Sequence, residues 1–315
     1  MPGDISMVDP DTEIRQLNDQ FGIPDRLSFR EGPGALPMAE VRNDFANGGL
    51  FLHGAHVTAF QPHGHKPVIW LSKQSHYQSD KAIRGGIPVC WPWFADHPTD
   101  PTKPAHGFVR TAPWTVRETG ENNEGGTFLR LGCRDDQKTR ALWPFGFDLE
   151  LSVTFGAQLI VSLAVQNTGN ELFTCGGALH SYFAVGDSSH IQIQGLDGLN
   201  FIDKVDGYRR KIQRGPVTIQ GETDSMYLET ARECYLEDPV WQRRIRIAKR
   251  GSRTTVVWNP WSEKAAAMKD FGDKKYREMV CVEATNATDD QVTVAPGGKH
   301  VLEAVIEVVR DLMSK

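Results

Sequence analysis

The plainest pattern of apolar and polar positions lies in residues 147–166, FDLELSVTFGAQLIVSLAVQ. Leu149, Leu151, Val153 and Phe155 alternate with polar or small residues, and Leu159, Val161, Leu163 and Val165 resume the alternation after Gly156 and Ala157. Successive side chains of a strand point to opposite faces, so this pattern predicts a strand, a tight turn and a returning strand with one buried face. SHIQIQG (189–195), TTVVW (254–258), EMVCVEA (278–284) and QVTVAP (291–296) are shorter strand candidates. HVLEAVIEVVRD (300–311) is apolar on both phases and reads equally as strand or helix. Near the start, Ile14, Leu17 and Phe21 recur at helical spacing in DTEIRQLNDQF (11–21), with Pro24 beyond to end the element.

Regular strand–helix alternation is missing, and Gly, Pro, Asp and Asn punctuate many short segments. An all-β fold, a sandwich or a relative of one, is expected. GENNEGG (120–126) reads as an exposed turn and DHPTDPTKP (96–104) as a rim loop, because apolar sequence continues on both sides of it. The expected organisation is an N-terminal extension over 1–34 and a single domain over 35–315. Composition adds exclusions. The 35 basic and 40 acidic residues give a formal charge of −5, which argues against nucleic-acid binding through a general basic surface. No apolar run reaches the length of a spanning helix, and the N-terminus lacks a basic stretch followed by an apolar one, so a cytoplasmic protein is expected. Five cysteines spaced 42 to 59 residues apart suit neither a disulfide framework nor a Cys-rich zinc site. The sequon NAT at 286–288 is then a chance match.

Four stretches carry candidate chemistry, each with a structural alternative. In KAIRGGIPVCWPWF (81–94), Arg84 can pair with an oxyanion beside two glycines that admit close approach. Trp91 and Trp93 either wall a sugar or fill the core. In AHGFVR (105–110), His106 and Arg110 share a face if extended, and Arg110 serves either a ligand or an ion pair. In CGGALHSYFAVGD (175–187), His180 is a packed histidine or a proton donor. In DFGDKKYREMVCVEATN (270–286), strand alternation puts Met279, Cys281 and Glu283 on one face and Val280 and Val282 on the other. A carboxylate on an inward face needs a partner or a function. Asp224, in GETDSMY, is a turn aspartate or a pocket residue. His53, His56, His63 and His65 fall within 13 residues and raise a metal alternative, but they form no HExxH motif. GxGxxG and GxSxG are absent as well.

Taken in order, IRGGIPVCWPWF, HGFVR, LHSYF, VVWNPW and DFGD..Y..MVCVEA resemble the hexose-6-phosphate mutarotase branch of the aldose 1-epimerase family, over roughly residues 35–312. The resemblance implies a large galactose-mutarotase-like β-sandwich with no metal or organic cofactor. It implies interconversion of the α and β anomers of hexose 6-phosphates. His180 resembles the family's general acid and Glu283 its general base. His106 resembles a sugar-oxygen ligand, Asp224 a substrate-positioning residue and Arg84 a phosphate ligand, with Lys73 and Lys81 adding positive charge. Arg110 contacts the ligand or supports the pocket. On this reading His180 is protonated and Glu283 ionised before reaction. The expected partner is a phosphorylated hexose, with no nucleic acid or membrane and a monomer favoured over a dimer. A non-catalytic carbohydrate-binding protein stacking sugar on Trp91, Trp93 and Trp258, or a sugar-phosphate sensor, is the competing reading. A pocket in which His180 and Glu283 face one reactive centre discriminates against both.

Overall fold

A computed structural model describes residues 10–309. Two eight-stranded antiparallel sheets dominate. The first contains the predicted hairpin. Phe147–Phe155 and Leu159–Asn167 pair with Phe147 opposite Asn167, and Phe147, Leu149, Leu151, Val153 and Phe155 are all buried while the residues between them are half-exposed. Lys299–Val309 adds to Leu159–Asn167, so the ambiguous C-terminal segment is a strand; its last two predicted residues lie outside the described range.

The second sheet runs Arg209–Ile212, Asn200–Asp203, Thr223–Tyr227, Thr254–Asn259, Met279–Asn286, Gly177–Leu179, Val89–Cys90, with Tyr182–Ala184 also on Met279–Asn286. Its inner face supplies Leu179, Phe183, Val257, Val280 and Val282 to one continuous core shared with the first sheet's Leu149, Leu151, Val161 and Leu163. That shared core is what makes the pair of sheets a sandwich. The outer face of the second sheet is covered separately. Met279 and Cys281 pack there with Trp70, Tyr182, Ala265 and Phe271.

A four-stranded meander, Leu27–Glu31, Pro37–Arg42, Ala46–Phe51 and His56–Pro62, precedes both sheets. The predicted N-terminal helix, α1 (Pro10–Phe21), rests on this meander. The Asn18 amide donates to the carbonyl of Phe29 at 2.7 Å and accepts from its N–H at 2.8 Å, while Leu17 and Phe21 pack against the core. Two short helices were not expected. α2 (Gln137–Leu142) starts at a capping box of Asp136 and Thr139, and α3 (Trp261–Ala267) follows Pro260. Among the described residues no helix is long and apolar enough to cross a membrane. All five cysteines are buried and unpaired. Asn286 of the sequon is buried, with its amide bonded to Gly251 and Asp290, so it offers no glycan acceptor.

Candidate active site

Strand register brings the two proposed proton carriers together. Gly177–Leu179 pairs with Met279–Asn286 in the register Gly177 to Asn286, and Tyr182–Ala184 continues in the same register with Tyr182 opposite Cys281. The two residues between these pairings therefore bring His180 opposite Glu283. Side-chain alternation then sorts the stretch. His180, Tyr182 and Ala184 share the outer face with Cys281 and Glu283, while Ser181 points to the inner side and donates only to the Leu179 carbonyl. His180 Nδ1 lies 3.4 Å from Glu283 Oε1. His180 is 8% exposed and Glu283 1%. The imidazole stacks on the Tyr182 ring at 4.8 Å and meets the edge of Trp258 at 6.1 Å.

A pocket of about 320 Å³ opens over this pair, lined among others by Arg84, His106, His180, Lys204, Asp224, Trp258 and Glu283. Asp224 and Trp258 are cross-strand neighbours, so the sheet itself forms the floor. Lys204 follows the end of Asn200–Asp203; its backbone N–H binds the Asp224 carbonyl and its Nζ stands 3.0 Å from Asp224 Oδ2. Arg84 donates from Nε to Asp270 at 3.1 Å and from a terminal nitrogen to the Tyr182 hydroxyl at 3.2 Å. His106 Nδ1 accepts from the Ala95 N–H at 3.3 Å, which leaves the proton of the neutral ring on Nε2 as a donor. The backbone around it depends on one glycine. A Cβ on Gly107, at φ +72°, would lie 1.9 Å from the Trp91 carbonyl oxygen.

Burial dominates the protonation of these groups. It holds His180 well below the usual histidine range, helped by the charges of Arg110 and Arg84, and lowers His106 to about 3. It pushes Glu283 well above the usual carboxylate range, helped by Asp224. Glu283 Oε2 and His180 Nδ1 are buried without hydrogen-bond partners. Both shifts favour a neutral imidazole beside a protonated Glu283 carboxyl. This runs against the expectation of a protonated His180 beside an ionised Glu283: burial opposes both charges, although the two groups stand 3.4 Å apart. Arg84 is different. Burial works against its charge, but Tyr182 and Asp270 outweigh that and keep it fully protonated.

The aldose 1-epimerase family model matches residues 48–307. The chain belongs to the aldose 1-epimerase family. It is 33% identical over 267 residues to a protein of Escherichia coli named "putative glucose-6-phosphate 1-epimerase", covering 84% of this chain and 87% of that one. A protein of the same name from Cenchrus ciliaris is 31% identical over 269 residues, covering 81% and 80%. A crystal structure of a "putative mutarotase" from Salmonella typhimurium superposes with a TM-score of 0.85 at 30% identity, covering 94% of this chain and all of that one. An aldose 1-epimerase inverts the anomeric carbon, a reaction that needs a proton donor and a proton acceptor on one hemiacetal. The sandwich fold expected from the sequence is the fold of these mutarotase-like structures.

Several residues singled out in the sequence stand elsewhere in this epimerase. Trp91 is 1% exposed and surrounded by Phe108, Trp143, Phe147 and Phe173, so it is a core residue and cannot stack on a sugar. Trp93 is buried against Phe108 and His97. Lys73 and Lys81 are exposed outside the pocket, and Lys81 lies 3.6 Å from Asp80. Arg110 does not line the pocket; it donates to the Ala105 carbonyl and fixes the chain next to His106. The histidine cluster does not converge. His53, His56 and His63 each bind a different backbone carbonyl, of Lys81, Gly85 and Asn43. Sequence reasoning missed Lys204, Lys264 and Asp270. Lys264 lines the pocket from α3, where it pairs with Glu222 at 2.8 Å. A lysine just past a three- or four-residue strand has no periodic signal to mark it.

Proposed function

We propose that this epimerase interconverts the anomers of a hexose 6-phosphate, with glucose 6-phosphate the best-supported substrate, through His180 and Glu283. The observation that carries the reading is the 3.4 Å separation of His180 Nδ1 and Glu283 Oε1 in a pocket that also presents Arg84, Lys204 and Lys264. Three cations, each also paired with a carboxylate of the protein, line one small cavity, and such charged donors suit a phosphate better than an uncharged sugar. The names of the relatives point to the same substrate.

Ring opening needs one proton taken from the hydroxyl on C1 and one given to the ring oxygen, so that the bond from C1 to the ring oxygen breaks. With the shared proton on His180, Glu283 accepts from the C1 hydroxyl and His180 donates to the ring oxygen. The products are the open aldehyde, a protonated Glu283 and a neutral His180. That is the distribution burial favours. The aldehyde then rotates, and ring closure reverses both transfers on the other face. Entry of the closed sugar requires the proton on His180. A phosphate at Arg84 cancels one of the positive charges that lower His180 and so promotes that shift. His106, Asp224 and Trp258 orient the ring, and Arg84 and Lys204 hold the phosphate; no phosphoryl group moves.

Magnetisation exchange between the anomeric protons of glucose 6-phosphate tests the assignment. Loss of a positioned acid or base lowers exchange by about 10²–10⁴-fold, expected for both His180→Ala and Glu283→Ala. Wild-type exchange in either variant would remove that residue from the mechanism. Arg84→Gln should raise KM for glucose 6-phosphate far more than for glucose, and equal changes would argue against phosphate at Arg84.

A further inference from the structure

The proton-carrying pair has a third neighbour that the reaction does not use. Alternation along Met279–Asn286 sets Cys281 on the same face as Glu283. One ligand atom each of His180, Cys281 and Glu283 lies within 4.8 Å of the others, the one such triad of donors among the described residues. His180 Nδ1 and Glu283 Oε2 lack hydrogen-bond partners. Two donors on a tetrahedral ion with bonds of about 2.0–2.3 Å stand roughly 3.4–3.6 Å apart. The 3.4 Å between His180 Nδ1 and Glu283 Oε1 already matches such an edge. The sulfur completes the face by a side-chain shift of about an ångström, a small movement set against those bond lengths.

We propose that His180, Cys281 and Glu283 form an inhibitory Zn²⁺ site, with its fourth position open to the pocket. One imidazole, one thiolate and one carboxylate are a donor set zinc prefers, whereas Mg²⁺ and Ca²⁺ seek oxygen alone. Binding displaces one proton from Cys281 and one from Glu283. The two anionic ligands then balance the ion's charge, so the buried complex is neutral overall, which a desolvated site tolerates. The nearest cations are already engaged, Arg84 with Asp270 and Lys204 with Asp224. The ion reaches the site through the pocket, past His180. Once bound it takes Nδ1 of His180 and a carboxylate oxygen of Glu283, and the hemiacetal loses both proton carriers. Zinc and sugar phosphate therefore compete. The inhibitory effect rests on the function proposed above; the binding does not.

Calorimetric titration with Zn²⁺, and with Co²⁺ as a coloured probe, should be run on the wild type, Cys281→Ser, Cys281→Ala and His180→Ala, each checked for folding by circular dichroism. The wild type should bind one ion, Co²⁺ should give a thiolate charge-transfer band in the near ultraviolet, and each variant should lose the band and bind at least tenfold more weakly. Cys281→Ser should exchange anomers like the wild type without metal and should resist Zn²⁺ concentrations that stop the wild type. No binding to the wild type, or equal Zn²⁺ binding and inhibition in Cys281→Ser, would overturn the site. A metal-free wild type that does not exchange anomers would instead defeat the proposed function, and the cobalt band would still decide the metal site.

Discussion

Glu283 combines an ionisable group, 1% exposure and an unpartnered Oε2, a combination that stability alone disfavours. The sign of its cost can be worked out. Its folded pKa is raised above 4.5, so from pH 4.5 up to that raised value the native state holds a proton the unfolded chain has lost. Stability is therefore lost as pH rises through the window. Glu283→Gln keeps the shape and removes the titration. The melting temperature of this variant should exceed the wild type's by a margin that vanishes near pH 4 and grows as pH rises above 4.5 until the raised pKa is passed, while anomer exchange collapses. A variant less stable than the wild type at pH 8 would mean that an ionised carboxylate is held by favourable contacts. The position of Glu283 was legible in the sequence, because Met279, Cys281 and Glu283 had to share a face once a strand was assumed. Its protonation was not, since that depends on Asp224 and on burial supplied by other strands. The choice between sugar wall and core for Trp91 stayed open for a related reason. A tryptophan beside glycines looks the same in sequence whether its ring meets ligand or core. Trp91→Ala should cost about 3–5 kcal/mol in denaturant unfolding, the range for a buried aromatic, and should leave the KM of the remaining folded protein nearly unchanged.

At the scale of elements, the long strands were legible and the short ones that build the site were not. Phe147–Phe155 and Leu159–Asn167 each offer nine residues of alternation, whereas Val89–Cys90 and Gly177–Leu179 offer two and three. A period cannot be read from so few positions; these strands exist because Met279–Asn286 and each other complete their hydrogen bonds. The segment carrying His106 is held in a similar way. The Phe108 N–H binds the Trp91 carbonyl, and Gly107 passes beside that carbonyl too closely for any side chain. In the fold this glycine permits close approach of the Trp91 backbone. Gly107→Ala combines a left-handed backbone with that collision. It should destabilise by about 1–3 kcal/mol and raise KM, because His106 is the neighbouring residue. Chemical denaturation together with steady-state kinetics measures both, and an unchanged KM would separate His106 from sugar binding.

For the whole molecule, the sandwich buries histidines as neutral groups, and this sets its response to acid. His56 and His106 are lowered to about 3 and His180 well below 6.5, in each case mainly by burial. His56 has no part in the pocket; its Nε2 binds the Gly85 carbonyl at 2.8 Å and so braces the backbone next to Arg84. Below pH 6.5 the unfolded chain takes up protons at these three positions and the native state does not, so stability falls as pH falls. His300 is lowered too, while Glu283 acts with the opposite sign above pH 4.5, so the histidines outnumber it and stability still falls with pH. One proton corresponds to about 1.4 kcal/mol per pH unit. Urea unfolding at pH 7, 6, 5 and 4.5 should therefore show stability falling between pH 6 and 4.5, with a slope that counts the net protons. In Glu283→Gln the opposing proton is absent, so the same series should fall more steeply, by about one further proton's worth. A flat profile in the wild type would show that the buried imidazoles accept protons in the folded state. It would then restore the charged His180 that the sequence alone had suggested.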